Sequence, residues 1–290
     1  METDKYNKAL NAHPLKLSDS EVTEQVNKII AENFDKNNNL EVYKKIYSCI
    51  DLTTLSSTDS KESVWKFTEK ANQFEEDHPE LENVAAICVY PNMVKTVKEA
   101  LTTDVAIASV AGGFPNSQTF TEIKIAETAL AVAEGANEID IVINLGMFLD
   151  KEYEEMCEEI SEIKETCRKA SLKVILETGA LKTVKNIHNA SILSLYSGAD
   201  FLKTSTGKEY PGASLEAAFV MANAIKSYHK KSGNKVGIKI SGGVATTEDA
   251  VKYYTILKEI LGEEWMNKEY FRIGASRLVN ALMGDITANE

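Results

Sequence analysis

GANEIDIVINLGMFLDKEYEEMCEEISEIKETCRKASLKVILET, residues 135–178, holds two short apolar runs separated by a long amphipathic one. EIDIVI (138–143) and LKVILET (172–178) are rich in β-branched residues, which favour strands. Between them, DKEYEEMCEEISEIKETCRKA (150–170) repeats its apolar residues at three- and four-residue intervals, the period of a helix. Glycine is the usual residue for leaving a helix through a left-handed turn, and Gly135-Ala136 stands just before the first strand. Gly198-Ala199 repeats the arrangement before a later one. The stretch reads as one strand–helix–strand unit.

The same alternation runs from residue 46 to the end. Before this unit come the runs IYSCIDL (46–52), VAAICVY (84–90) and VAIASV (105–110), and after it ADFLKT (199–204), VGIKIS (236–241) and YFRIG (270–274). Eight strands alternating with eight helices imply parallel pairing through right-handed crossovers. Eight is also the number of units that closes a (β/α)8 TIM barrel. A doubly wound open sheet is the rival α/β arrangement, but no G-x-G-x-x-G turn follows the first strand. Residues 46–290 match the roughly 250 residues typical of one barrel. Residues 1–45 remain as an N-terminal helical extension, in which SDSEVTEQVNKIIAENF (18–34) reads as a helix capped by Ser18 or Ser20 and NNNL (37–40) as a loop.

Composition narrows the function. Of 290 residues, 43% are hydrophobic and 26% charged, which sets disorder, collagen and coiled coils aside. The net charge of −12 argues against a nucleic-acid partner but not against a small anion, which local donors can bind. Cys49, Cys88, Cys157 and Cys167 show no C-x-x-C spacing, and there is no secretory h-region or membrane-length apolar stretch. No membrane partner and a reducing, cytoplasmic setting are expected. His13, His78, His188 and His229 avoid strand ends and metal-ligand spacings, so neither a metal site nor a Ser/Cys–His triad is expected.

Barrels of this kind carry their active sites at the C-terminal ends of the strands. Polar residues there are Asp51, Cys88 with Tyr90, Asp140 with Asn144, Lys173 with Glu177, Lys203, Lys239 with Ser241, and Gly274 with Ser276. Lys203 and Lys239 each lie in the apolar tail of a strand. Desolvation and mutual repulsion would lower their pKa values, and a neutral amine attacks carbonyls. The alternative is structural pairing with Asp51, Asp140 or Glu177. Asp140 has the same two readings, counter-ion or proton carrier, and Cys88 is either a mouth residue or a buried thiol. Ser241-Gly242-Gly243 after strand 7 and Gly274-Ala275-Ser276 after strand 8 occupy the places where barrels bind phosphate. Thr204-Ser205-Thr206-Gly207-Lys208 adds hydroxyls and a cation beside them. Simple tight turns are the competing reading.

The motifs IDLTTL (50–55), AAICVYPNMV (85–94), GANEIDIVINLG (135–146), LKVILETGALK (172–182), GADFLKTSTGK (198–208), GIKISGGVATTEDA (237–250) and RIGAS (272–276) resemble those of the deoxyribose-phosphate aldolases, from Asp51 to about Leu282. The resemblance implies a cofactor-free class I aldolase. It would cleave 2-deoxy-D-ribose 5-phosphate reversibly to acetaldehyde and D-glyceraldehyde 3-phosphate, in deoxyribonucleotide catabolism. It implies Lys203 as the Schiff-base lysine, Lys239 as the neighbour that depresses its pKa, and Asp140 as the acid/base. Asp51, Cys88 and Lys173 become further pocket residues, and Gly207, Gly242, Gly243 and Ser276 hold the phosphate with Lys208 close by.

Two positions depart from that family's pattern. Ala245 stands where Arg often follows Gly-Gly-Val, and Arg277 follows Ser276 where a second Ser is common. Arg277 is therefore expected to supply the phosphate charge that Ala245 lacks. Two other functions compete: another lysine-imine aldolase with a different phosphosugar or ketose donor, and a non-catalytic phosphosugar-binding barrel. A homo-oligomer, dimer or tetramer, with residues 1–45 at its interface, is a separate expectation.

Overall fold

The structure is a computed structural model that describes residues 5–289; residues 1–4, the start of the expected extension, and 290 lie outside it. Helices α1 (Lys5–Ala12), α2 (Asp19–Asn37) and α3 (Leu40–Ser48) come first. The barrel then runs β1 (Ile50–Thr53), α4 (Lys61–Asp77), β2 (Ala86–Val89), α5 (Val94–Ala100), β3 (Ala106–Val110) and α6 (Thr121–Glu134). It continues with β4 (Glu138–Val142), a short α7 (Leu145–Leu149), α8 (Tyr153–Cys167), β5 (Ser171–Ile175), a short α9 (Thr178–Leu181) and α10 (Val184–Tyr196). Last come β6 (Phe201–Lys203), α11 (Leu215–Ser232), β7 (Gly237–Ser241), α12 (Thr247–Leu261), β8 (Phe271–Ala275) and α13 (Leu278–Asn289). Every strand pairs in parallel with its neighbours in sequence, and β8 closes on β1. The expected (β/α)8 barrel is the fold. Gly135 and Gly198 both take positive φ, 118° and 98°, as their places before strands require.

Side chains alternate across the sheet, so each strand faces both a helix layer and the barrel axis. Ile50, Ile87, Ile139, Val174, Leu202, Ile240 and Ile273 point outward into one continuous core under the helices. The interior is divided differently. Ala86, Cys88, Ala108 and Val110 of β2 and β3 form a small apolar cluster with Tyr90 and Phe114 at its rim. The inward positions of β4 to β8 and of β1 instead carry Glu138, Asp140, Lys173, Lys203, Lys239, Arg272 and Asp51, all buried.

Several boundaries differ from the sequence reading. Residues 46–48, expected to open the first strand, finish α3, and β1 starts at Ile50. Asn39 caps α3 by accepting from the Val42 N–H, and Ile46 is buried where α3 packs on α12 and α13. The β-branched Ile46 thus serves a helix face, and the expected boundary at residue 45 falls within a helix. Asn37 closes α2 rather than opening a loop, and Ser18, not Ser20, is its cap, in a reciprocal bond with Glu21. Strand 5 ends at Ile175, because Glu177 turns into the left-handed region.

The extension lies along the barrel's own helices. α1 packs on α10, and α2 on α11 and α12. His13 bonds Ser227 at 2.7 Å and Tyr196 at 3.0 Å, while Asp19 accepts the Val184 N–H at 3.0 Å at the start of α10.

Gly237 is where close packing is tightest inside the barrel: a Cβ there would stand 2.2 Å from the Phe201 ring. That ring is hemmed in by Lys173 Nζ and Arg272 Cζ, 5.9 and 5.7 Å from its centroid. Gly237→Ala should therefore cost about 1–3 kcal/mol by overpacking. Urea unfolding reads this as a lower midpoint at unchanged slope, and an unchanged midpoint would contradict the packing argument.

Candidate active site

Strand register brings the charged side chains together. Lys203 on β6 lies directly beside Lys239 on β7, Lys239 beside Arg272 on β8, and Asp140 on β4 beside Lys173 on β5. Lys203 Nζ donates to Asp140 Oδ2 at 2.8 Å, and Lys239 Nζ donates to the same oxygen at 2.7 Å. Lys239 also lies 2.5 Å from Asp51 Oδ2. Below them, Lys173 bonds Asp51 at 2.9 Å and also Glu138. Arg272 completes the layer, with Nη1 2.6 Å from Asp51 Oδ1 and Nη2 2.8 Å from Glu138 Oε1. Asp140 Oδ1 accepts no hydrogen bond, though Lys173 Nζ stands 3.5 Å away.

Three carboxylates thus face four basic groups, all buried. Uncompensated buried charge is costly, so one of the four should give up its proton first. Lys203 is that group. Burial lowers its pKa, Asp140 opposes the shift, and the Lys239 cation pushes it down again, for a net fall below the usual lysine range. Burial lowers Lys239 as well, but Asp140 and Asp51 together carry it well above that range. Lys173 is raised by Asp140, Asp51 and Glu138 against its burial, and Arg272 by Asp51 and Glu138. Burial would raise Asp140 and Asp51, yet the surrounding cations hold both carboxyls below the usual carboxylate range. The two lysines do not both resist protonation, as sequence alone suggested; they diverge.

Lys203 opens onto a cavity of about 250 Å³ at the barrel mouth. Gly207, Lys208, Gly242, Gly243, Gly274, Ser276 and Arg277 line it, with Ala245, Thr206 and Ser241. Among the described residues, no hydrogen bond engages the backbone N–H of Gly207, Gly242, Gly243 or Ser276. Gly242 and Gly243 adopt φ of 90° and 89°, and a Cβ on Gly274 would come within 3.0 Å of Lys239 Cε. Such a cradle of free N–H groups suits an anion. Among the described residues, no group of three His, Cys, Asp or Glu side chains could hold a metal ion.

Most of the expected residues meet here, in two tiers. Lys203 and the glycine loops form the cavity wall. Asp140, Lys239, Asp51 and Lys173 lie beneath it, fully buried. Thr204, expected among the substrate contacts, is not among the residues lining the cavity: its hydroxyl accepts the Ser241 N–H at 2.9 Å and donates to the Ser241 carbonyl at 3.0 Å, tying β6 to β7. Cys88 belongs to the inner apolar cluster, and burial pushes its thiol up. Glu177 pairs with neither lysine; Thr206 Oγ1 donates to it at 2.5 Å.

Sequence reasoning missed Glu138 and Arg272, whose signal was the one that revealed the lysines, a charge within an apolar strand. It also missed Gly212. A Cβ there would meet the Gly242 carbonyl oxygen at 2.1 Å, so the loops after β6 and β7 touch backbone to backbone. Pro211-Gly212 announced only a turn.

Comparison with known proteins finds relatives over most of the chain. A family model described as DeoC/LacD family aldolase matches residues 45–258. The deoxyribose-phosphate aldolase of Bos taurus is 42% identical over 246 residues, covering 81% of this chain and 77% of that protein. The one from Homo sapiens is 40% identical over 247 residues, covering 81% and 78%. Among solved structures, the tetrameric deoxyribose phosphate aldolase of Aeropyrum pernix aligns with a TM-score of 0.69 at 26% identity, over 90% of this chain and 97% of that one.

Proposed function

The chain belongs to the DeoC/LacD family of aldolases, and from that premise we propose that it cleaves 2-deoxy-D-ribose 5-phosphate to acetaldehyde and D-glyceraldehyde 3-phosphate through a Schiff base on Lys203. The observation that carries this reading is the position of Lys203. It is the one basic group of the buried cluster whose pKa falls, and it borders the cavity lined by the glycine loops. The names of the bovine and human relatives support the substrate.

The chemistry follows from the two tiers. Neutral Lys203 Nζ attacks C1 of the open-chain aldehyde, and loss of water gives an iminium ion. A base removes the proton of the C3 hydroxyl, the C2–C3 bond breaks, and its electron pair moves to C2 as the iminium becomes an enamine. Glyceraldehyde 3-phosphate leaves. Protonation at C2 and hydrolysis release acetaldehyde and restore the amine. Asp140 is suited to carry these protons, because Oδ2 is held by both lysines while Oδ1 is free of hydrogen bonds. The protonated imine supplies the electron sink, so the step needs no metal. Lys239 stays charged, keeping Lys203 neutral, and Lys173 and Arg272 neutralise the carboxylates below. The phosphate would sit against the N–H groups of Gly207, Gly242, Gly243 and Ser276.

A catabolic role in the cytoplasm fits four buried cysteine thiols, and no helix among the described residues is long and apolar enough to cross a membrane. The tetramer of the Aeropyrum pernix relative supports a homo-oligomer here too.

Three measurements test the reading. Borohydride added during turnover of deoxyribose 5-phosphate should leave a reduced adduct on Lys203, seen by mass spectrometry, and Lys203→Ala should abolish both adduct and turnover. Trapping of dihydroxyacetone phosphate instead would favour another imine aldolase, and phosphate binding without any adduct a non-catalytic barrel. Activity requires the neutral amine, so kcat/KM should fall as pH drops through the lowered Lys203 pKa. Lys239→Met removes the adjacent cation and leaves Asp140 to Lys203; the acid limb should move up by about one unit or more, and an unmoved limb would count against the pairing. Arg277→Ala should raise KM for the phosphorylated substrate about tenfold by removing a charged hydrogen-bond donor, and an unchanged KM would show that Arg277 does not hold the phosphate.

A further inference from the structure

The loop after β6 carries one wall of the anion cavity, yet a residue outside that loop sets its shape. Glu177, two residues past β5, is a non-glycine residue at φ 54°, ψ 61°. An L-residue held in the left-handed region is strained, and such strain persists only where the surroundings impose it. Here two backbone hydrogen bonds do so. Leu176 N donates to the Lys203 carbonyl and Thr178 N to the Thr204 carbonyl, both at 2.9 Å. Glu177 is pinned between them, and its carboxylate is buried against the loop beyond.

The carboxylate there accepts from both donors of one residue. Thr206 N–H lies 3.2 Å from Oε1 and 3.4 Å from Oε2, and Thr206 Oγ1 donates to Oε2 at 2.5 Å. Thr206 Oγ1 in turn accepts the Lys208 N–H at 3.2 Å. Residues 206 and 208 thus have their backbone donors occupied, while that of Gly207 between them has no protein acceptor. Gly207 takes φ 72°, and a Cβ on it would come 3.4 Å from Gly242 Cα, so its backbone lies against the second glycine loop.

We propose that Glu177 is a positioning residue for phosphate recognition: by holding both donors of Thr206 it fixes the loop after β6 so that the Gly207 N–H is presented to the substrate's phosphate. The idea rests on the phosphosugar reading above for the identity of the anion. Glu177 makes neither a hydrogen bond nor an ion pair with the Lys203 amine, which acts on it only through space. Burial pushes its carboxyl up, and the bonds from Thr206 favour the ionised form that accepts both donors.

Glu177→Gln separates this role from a general structural one. The amide keeps the shape but loses the charge, and its NH2 group sets a donor against Thr206 where a carboxylate oxygen accepted. KM for deoxyribose 5-phosphate should rise about tenfold, whereas KM for unphosphorylated 2-deoxyribose and the rate of acetaldehyde trapping on Lys203 should not change. Thr206→Val should weaken phosphate recognition similarly, and the double variant should be little worse than either single one, as for two residues acting through one contact. Inorganic phosphate titrated into wild-type and Glu177→Gln protein reads the loop without catalysis, with an expected tenfold weaker Kd in the variant. Equal losses for both sugars, slower trapping of acetaldehyde, or an unchanged phosphate Kd would each overturn the proposal. Absence of any acetaldehyde adduct on wild-type Lys203 would instead overturn the aldolase reading and leave the phosphate titration to judge Glu177 by itself.

Discussion

Everything at the barrel mouth depends on a buried charge count that balances only when Lys203 is neutral. Asp51, Glu138 and Asp140 supply three negative charges, and Lys173, Lys239 and Arg272 supply three positive ones. Lys203 is the fourth base, joined to a single carboxylate that Lys239 shares. A proton on it would be an unmatched charge in a medium that solvates charge poorly. Its low proton affinity is thus a property of the whole group of side chains and is not set by Lys239 alone.

The scaffold explains why such a group survives. Clusters of buried ions seldom add net stability, and breaking one pair inside them costs about 3–5 kcal/mol. The continuous apolar core outside the sheet carries the burial that holds the fold. The barrel axis is thereby left to hold ions, each fixed by strand register. Small residues on β2 and β3 give the other half of the interior an apolar lining beside the amine. The polar half meets the cavity at Lys203, which the glycine loops border.

Much of this was legible in the residues themselves. A lysine or aspartate within a run of β-branched residues has no reason to be there unless its neighbours compensate it, and that exposed Lys203, Lys239 and Asp140. Gly242-Gly243 after β7 and Gly274 at the end of β8 were visible for a similar reason, since local composition reports local conformation. Glu138 and Arg272 carried the same signal but lie deeper than the strand ends on which attention fell. Ile46 misled because helix and strand compete for β-branched residues and only the packing of α3 decides between them. Contacts that join separate loops left no mark in the sequence. The bond from Thr206 to Glu177 and the approach of Gly212 to Gly242 depend on tertiary placement, which no spacing announces.

The extension makes the barrel lopsided. α1 and α2 lie across α10, α11 and α12, the helices that lead into β6, β7 and β8. On the far flank, α6 leaves Phe120, Ile123 and Leu130 exposed. The described residues that precede the barrel thereby lay a second layer of helix over the strands that carry both lysines.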